Sequence, residues 1–278
     1  MDDVKIITAY CIIDDTLCRL EHTTHPLAHI TDAEVLTVAV VAAMYFHNNH
    51  ERALFIMYHM HYLSAPLSTS RFNRRVHALA GWLEYITNLV GELFSKGEVF
   101  IIDTMPLPVC KLARARRCRK LTGALTRSLD YFGVCHTKRE VFFGWRLHLI
   151  CTAQRVPVRF QMLPACFHDL TPVCELTWGL PKGARVYADK GYIDARTKRL
   201  LRPTLRREGV HLVAMHKKSM QPNTAEEWAG LRKHRPCVET AHSQLVSMGI
   251  QSLHTRTNQG FAIRVLASLL ALTCKNFH

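Results

Sequence analysis

At Lys96-Gly97 the hydrophobic pattern of this 278-residue chain changes period, and no other feature narrows the fold as much. Upstream, apolar residues run in helix-length stretches. Thr31-Asp-Ala-Glu34 has the form of a capping box opening an apolar run to Phe46. Leu54, Ile56, Met57, Tyr58, Met60 and Tyr62 mark a second, largely buried helix over residues 51–63. Ser64-Ala-Pro66-Leu-Ser68 ends it, and Ser68 or Ser70 can cap a third helix running towards Phe94. Downstream, short apolar runs alternate with glycine, proline and polar links. Residues 98–102, 141–152, 156–163, 185–188 and 211–215 have the pattern of strands, the second and third joined as a hairpin by Ala153-Gln-Arg155. Helices are expected at 169–178, 194–208, 237–248 and 259–274. Two antiparallel strands, then strands alternating with helices, predict an α/β domain with a mixed sheet over residues 96–278. A small all-helical domain, residues 1–95, precedes it.

Charge divides at the same place. Residues 1–95 hold 6 Lys/Arg against 10 Asp/Glu, whereas residues 96–278 hold 30 against 12, so the formal net charge of +14 arises in the second part. A field of that sign makes a polyanion, nucleic acid or an anionic membrane surface, the leading partner. The longest apolar stretch, residues 35–46, falls short of the ~20 residues that span a bilayer. No basic n-region followed by an apolar h-region opens the chain, so no secretory signal is evident. Ten cysteines without a CxxC pair point to reduced, cytosolic thiols. Neither a Gly-rich phosphate loop nor a GxSxG elbow occurs, which leaves nucleotide cofactors and serine hydrolysis unindicated.

In so basic a region, a carboxylate at a strand end is conspicuous. Asp103 directly follows Val99-Phe-Ile-Ile102, and Asp189 follows Val186-Tyr-Ala188. If those strands are neighbours, both carboxylates share one rim, where α/β sheets carry ligands. Glu239 lies in Arg235-Pro-Cys-Val-Glu239, with the pattern of the first turns of a helix that has Pro236 near its start. A third carboxylate there would complete a hard-oxygen cage. Mg²⁺ or Mn²⁺ takes such ligands, and two ions ~4 Å apart serve an in-line phosphoryl displacement. Each acid alone also has a structural reading: Asp103 as a cap before Pro106, Asp189 as a loop residue beside Gly191, Glu239 as a charge favoured by the helix dipole. Asp169, in Phe167-His-Asp-Leu170, is a reserve carboxylate.

The basic residues complement the acids. Lys111, Arg114, Arg116, Arg117, Arg119 and Lys120 place six positive charges in ten residues just after the first acid-bearing strand. They are expected to hold DNA phosphates, with Lys138, Arg139 and Arg146 as further candidates. In the helical part, Arg71, Arg74 and Arg75 fit a helix-turn-helix DNA-binding arrangement, and equally an ordinary helical domain with a solvated basic face. Trp145 and Trp178 are expected in the core, and Trp228 could stack on a base.

Three blocks, Ile101-Ile-Asp-Thr-Met-Pro106, Tyr187-Ala-Asp-Lys-Gly-Tyr192 and Val238-Glu-Thr240 with Ser243-Gln-Leu245, resemble the acidic blocks of DDE transposases, more narrowly those of bacterial insertion sequences. Phe143-Gly-Trp-Arg-Leu-His148, Phe167-His-Asp-Leu170 and Gly260-Phe-Ala-Ile-Arg-Val-Leu266 resemble further segments of that group. The resemblance covers roughly residues 98–275. It implies an RNase H-like catalytic core in which Asp103, Asp189 and Glu239 are the catalytic, metal-binding triad, with two Mg²⁺ (or Mn²⁺) ions per active site. It also implies cleavage that exposes 3′-hydroxyls and their transfer to target DNA. Arg235, four residues before Glu239, stands where relatives carry an arginine that helps hold DNA. Arg232 and Val246 replace the tyrosine and lysine of the same pattern. The implied partners are double-stranded DNA, at transposon ends and target, and a second copy of the chain in a homodimer, in a bacterial cytoplasm on nucleoid DNA. No membrane and no nucleotide cofactor are implied. Two alternatives remain open: an RNase H-like nuclease or resolvase that cuts without joining, and a catalytically inert DNA-binding derivative.

Overall fold

The computed structural model describes residues 1–118, 121, 128–135, 139–193, 197–217 and 219–276. Contacts gather them into two compact units, Met1–Leu89 with Gln244–His278, and Val90–Ser243.

The first unit is helical, built around α2 (Asp32–Phe46). The capping box forms as its sequence predicts: Thr31 N–H donates to Glu34 Oε2 at 2.7 Å, and Glu34 N–H to Thr31 Oγ1 at 3.1 Å. From Ala33 to Met44 every side chain of α2 is buried, a pattern that only an inner helix can carry. Around it pack α1 (Asp3–Arg19), α3 (His50–His59), α4 (Thr69–Ala78) and the last helix, α9 (Asn258–Asn276). Ser68 caps α4, but the helix expected to run on to Phe94 is two helices. Leu79 closes α4 by donating to the Arg75 and His77 carbonyls, and α5 (Ala80–Phe94) begins afresh. The apolar α9 joins this unit because Asn48, left-handed at φ 61°, donates to Met248 O and Ser268 Oγ, each at 3.1 Å. Both ends of the chain therefore build the helical unit, whereas the sequence pattern divides it once, near residue 95. None of the described helices is long and apolar enough to cross a membrane, and the ten cysteines, all among the described residues, form no disulfide.

The second unit is a mixed sheet with helices. Its strands are β1 (Val99–Cys110), β2 (Phe132–Cys135), β3 (Glu140–Thr152), β4 (Pro157–Pro164), β5 (Arg185–Ala188) and β6 (His211–Ala214). The order runs β2-β3-β1-β5-β6, and β4 shares with β2 the outer edge of β3. β1, β3 and β4 form an antiparallel meander, while β5 and β6 run parallel to β1. This is the α/β mixed sheet that the sequence predicts, and it is consistent with an RNase H-like core. The four-residue β2 was not expected; Phe132-Gly-Val-Cys135 is too short and too interrupted to stand out from a loop. β1 outruns its expected end because it stays paired with β3 as far as Cys110↔Phe143, although β5 stops pairing at Ile102↔Ala188. Beyond that point no described strand pairs with the second edge of β1, a setting that accommodates Pro106 and Pro108.

Three helices complete the unit: α6 (Val173–Thr177), α7 (Arg202–Arg207) and α8 (Ala225–Ser247), which runs on into the first unit's segment. α6 is shorter than its pattern suggests. α7 continues a π-helical segment, Thr197–Leu201, so that helix covers 197–207 of the expected 194–208, whose first three residues lie outside the described residues. α8 instead begins at Ala225 rather than near 237, so Pro236 lies inside it and not at its start. The missed signal is a second capping box: Glu227 N–H donates to Thr224 Oγ1 at 3.2 Å, and Thr224 N–H to Glu227 Oε2 at 3.1 Å. Pro236 removes one backbone hydrogen bond, yet Leu231 before it and Val238 after it both pack on Ile101 and Tyr187, so the sheet holds the helix on each side of the break.

Gly230 sets how closely α8 approaches. A Cβ there would lie 2.3 Å from Tyr187 Oη and 2.5 Å from its ring, and Tyr187 is buried and stacked on His234 at 5.2 Å. On helix propensity alone Gly230→Ala would stabilise by about 1 kcal/mol. Overpacking against Tyr187 reverses that sign, and we expect a net loss of about 1–3 kcal/mol in urea unfolding. A stabilised variant would show that α8 does not rest on Tyr187.

Candidate active site

The alternation of side chains along β1 and β5 builds the site. Phe100, Ile102, Val186 and Ala188 face one core, and Ile101 and Tyr187 face the other, beneath α8. One step further on, Asp103 and Asp189 continue the Ile101 and Tyr187 face, and the parallel register Ile102↔Ala188 makes them lateral neighbours. Asp103 stays in strand, its Oδ1 accepting the Thr104 N–H at 2.8 Å. Asp189 leaves the sheet and caps a 3-10 turn, its Oδ1 accepting the Lys190 N–H at 2.6 Å.

α8 brings the third acid to the same face. Arg235, Glu239 and His242 follow one another at helical spacing. Arg235 Nη2 lies 3.4 Å from Asp189 Oδ2 and 3.5 Å from Glu239 Oε1, bridging the two. His242 Nδ1 is 3.7 Å from Asp103 Oδ2. Burial pushes the His242 imidazole down to about 4, so it stands neutral beside the carboxyl. Sequence reasoning missed His242; its place three residues after Glu239 was the available signal. Asp169 arrives from the loop after β4, accepting from Thr104 Oγ1 at 2.9 Å and lying 3.6 Å from Arg146 Nη1.

The site is short of positive charge at Asp103. Burial first, then the negative charges of Asp189 and Asp169, push its carboxyl up to about 7 against the opposing Thr104 N–H and Arg235. The acid-bearing rim thus offers hard oxygen donors whose mutual repulsion a cation would relieve, the chemistry that suits Mg²⁺ or Mn²⁺. Among the described residues no three His, Cys, Asp or Glu side chains are gathered closely enough to hold a metal ion as they stand. Arg235 sits between two of them instead, and the Glu239 side chain is 60% exposed.

The other expected residues fall in several settings. Lys111, Arg114, Arg116 and Arg117 are exposed on a 3-10 turn, Leu112–Arg117, just beyond β1, with Ala115 buried beneath. Arg119, Lys120 and Lys138 lie outside the described residues. Arg139 is exposed at φ 52°. Arg146, expected at a phosphate, is half-buried and directs Nη2 to the Val134 and Ala165 carbonyls, each at 3.3 Å. In the helical unit Arg71 and Arg74 are exposed, while Arg75 binds Asp32 and, at 2.7 Å, the Ile30 carbonyl. Trp145 packs edge-on against buried Tyr131. Trp178 is not in the core: it caps the short α6 and is 70% exposed.

The family profile described as a transposase DDE domain matches residues 95–259. A stretch of 127 residues is 28% identical to the transposase for insertion sequence element IS1106 of Neisseria meningitidis serogroup B. That stretch covers 45% of this chain and 44% of the relative, so the match spans less than half of either. No solved structure matches the chain.

The Asp103 environment makes stability depend on pH in a defined direction. The folded carboxyl, at about 7, lies above its ordinary 3.8, so between those values the folded state keeps a proton that the unfolded chain has lost. Asp103 therefore subtracts stability as pH rises from about 4 to 7, by at most about 1.4 kcal/mol per pH unit. Buried His148 and His242, both lowered to about 4, act the other way up to about pH 6.5. Comparing the metal-free protein with Asp103→Asn cancels the histidines. The stability advantage of the variant is expected to grow by about 2–4 kcal/mol from pH 4 to 7 in chemical denaturation; a constant difference would contradict the assignment.

Proposed function

Because the chain belongs to the family of transposase DDE domains, we propose that it is the transposase of an insertion sequence. It binds the ends of its element, cuts the DNA to expose 3′-hydroxyls and joins those hydroxyls to target DNA. The observation that carries this reading is the parallel register of β1 and β5, which sets Asp103 beside Asp189 under the helix that bears Glu239.

In this reading Asp103, Asp189 and Glu239 hold two Mg²⁺ or Mn²⁺ ions, which when bound activate the attacking hydroxyl and stabilise the leaving oxygen. The protein's own groups do the rest. Asp103, whose proton is held first by burial and then by the charges of Asp189 and Asp169, would release it to solvent to serve as a ligand. Arg235 is the countercharge between Asp189 and Glu239 and is placed to turn its guanidinium to a DNA phosphate. Lys111, Arg114, Arg116 and Arg117 grip the backbone beside the rim, supplying affinity without sequence preference. Exchange of one phosphodiester for another conserves bond energy, so no nucleotide cofactor is needed. Residues 1–95 bind further DNA phosphates through Arg71 and Arg74. Two copies work together as a homodimer on paired ends, in the bacterial cytoplasm on nucleoid DNA.

Two outcomes test this reading. On a labelled duplex carrying the element's own end, the wild type is expected to cleave and join strands with Mg²⁺ or Mn²⁺ and not with EDTA. Asp103→Ala, Asp189→Ala and Glu239→Ala should each lose both steps while still binding DNA. Cleavage without joining of a pre-cut end would make the protein a nuclease, and binding with no metal-dependent step in the wild type would make it an inert derivative. Separately, replacing Lys111, Arg114, Arg116 and Arg117 together by alanine should flatten the dependence of log affinity on log salt, by about 0.9 for each phosphate that is no longer neutralised. An unchanged slope would place the DNA elsewhere.

A further inference from the structure

The motif Phe167-His-Asp-Leu170 has no part in the reaction as described, yet its aspartate meets the acid-bearing rim from behind. Thr104 follows Asp103 in β1, so its side chain lies on the opposite face of the sheet. It touches both acids. Its N–H donates to Asp103 Oδ1 at 2.8 Å, and its Oγ1 donates to Asp169 Oδ1 at 2.9 Å. A β-branched side chain has few rotamers, so a fixed hydroxyl also fixes the backbone that carries it. The second oxygen of Asp169 rests against the other acid-bearing turn: a Cβ on Gly191, two residues after Asp189, would lie 3.3 Å from Asp169 Oδ2.

Asp169 is itself well anchored. Arg146 Nη1 approaches its Oδ1 at 3.6 Å, while Nη2 reaches the Val134 carbonyl in β2 and the Ala165 carbonyl after β4. The turn that presents it closes through Thr171 N–H on the His168 carbonyl at 2.9 Å and Leu170 N–H on His168 Nδ1 at 3.2 Å. One carboxylate therefore connects the strand after Asp103, the turn after Asp189 and the far strands of the sheet.

We propose that Asp169 is a positioning residue for the cation site: it fixes Thr104, and through Thr104 the carboxylate of Asp103, so that metal affinity at the acid-bearing rim depends on a carboxylate that is not itself a ligand. The inference rests on the reading of Asp103, Asp189 and Glu239 as the metal ligands. Groups that orient metal ligands from behind typically contribute 10–100-fold to affinity, and the Thr104–Asp169 pair has the connectivity for that role.

The test is Mn²⁺ binding to the full chain without DNA, followed by loss of the free-ion electron paramagnetic resonance signal. Thr104→Val removes the hydroxyl and keeps the shape, and Thr104→Ser restores it. Asp169→Ala removes the acceptor independently, so the test survives a folding failure in either position; circular dichroism in EDTA shows which variants are folded. The expected result is at least tenfold weaker Mn²⁺ binding in Thr104→Val and Asp169→Ala, with Thr104→Ser within about twofold of wild type. Wild-type affinity in folded Thr104→Val or Asp169→Ala, while Asp103→Ala has lost the ion, overturns the inference and leaves the triad standing. Wild-type affinity in Asp103→Ala overturns the triad, and the inference with it.

Discussion

Parallel pairing of β1 with β5 is the constraint on which the rest of the acid-bearing rim depends. It ends at Ile102↔Ala188, and an aspartate follows at the next position on each side, Asp103 and Asp189. A slip of one residue would turn one of those side chains to the opposite face. Two buried faces prevent the slip. Phe100, Ile102, Val186 and Ala188 interlock on one side, and Ile101 with Tyr187 lies under Leu231 and Val238 on the other. The same apolar packing therefore sets the register and fixes the height of α8, with Gly230 allowing the helix to close on Tyr187.

Electrostatics then decides what so rigid an arrangement is fit for. Carboxylates brought together in a partly buried place repel, and the structure answers in two ways. Asp103 holds its proton up to about pH 7. Arg235 enters between Asp189 and Glu239 as a countercharge. Neither answer satisfies all three acids together, because a guanidinium is planar and directional while the acids come from the interior of β1, the end of β5 and a helix. A small divalent ion with oxygen ligands meets that demand better. In the proposed function the surrounding excess of lysine and arginine would be complementary, since it would attract the phosphates that such ions share with the carboxylates.

Much of this was legible in the sequence where local patterning and tertiary packing agree. The apolar runs of β1, β3, β4 and β5 are bounded by glycines and polar turns, and Asp189 could be read as a strand-end residue without any coordinates, whereas Asp103, expected at a strand end, lies inside β1 because that strand runs on to Cys110. The α2 capping box is equally local. What escaped notice depends on long-range packing. Pro106 and Pro108 look like the end of a strand, but β1 continues because β3 pairs with it as far as Cys110. Pro236 looks like the start of a helix, but α8 is held by the sheet on both sides of it. Arg146 looks like a phosphate ligand, yet the fold engages it with Asp169 and two backbone carbonyls, a role that no charge count reveals. His242 was visible only as spacing, three residues beyond Glu239, and that spacing gains meaning once α8 is known to lie over Asp103.

The central claim is that Asp103, Asp189 and Glu239 together hold divalent ions. Anomalous diffraction from crystals grown with Mn²⁺ tests it most directly. Manganese peaks bound by oxygens of all three carboxylates are expected, with the Arg235 guanidinium withdrawn from between Asp189 and Glu239. Manganese bound elsewhere, or a rim without manganese in which Arg235 still bridges the two acids at saturating Mn²⁺, would contradict it.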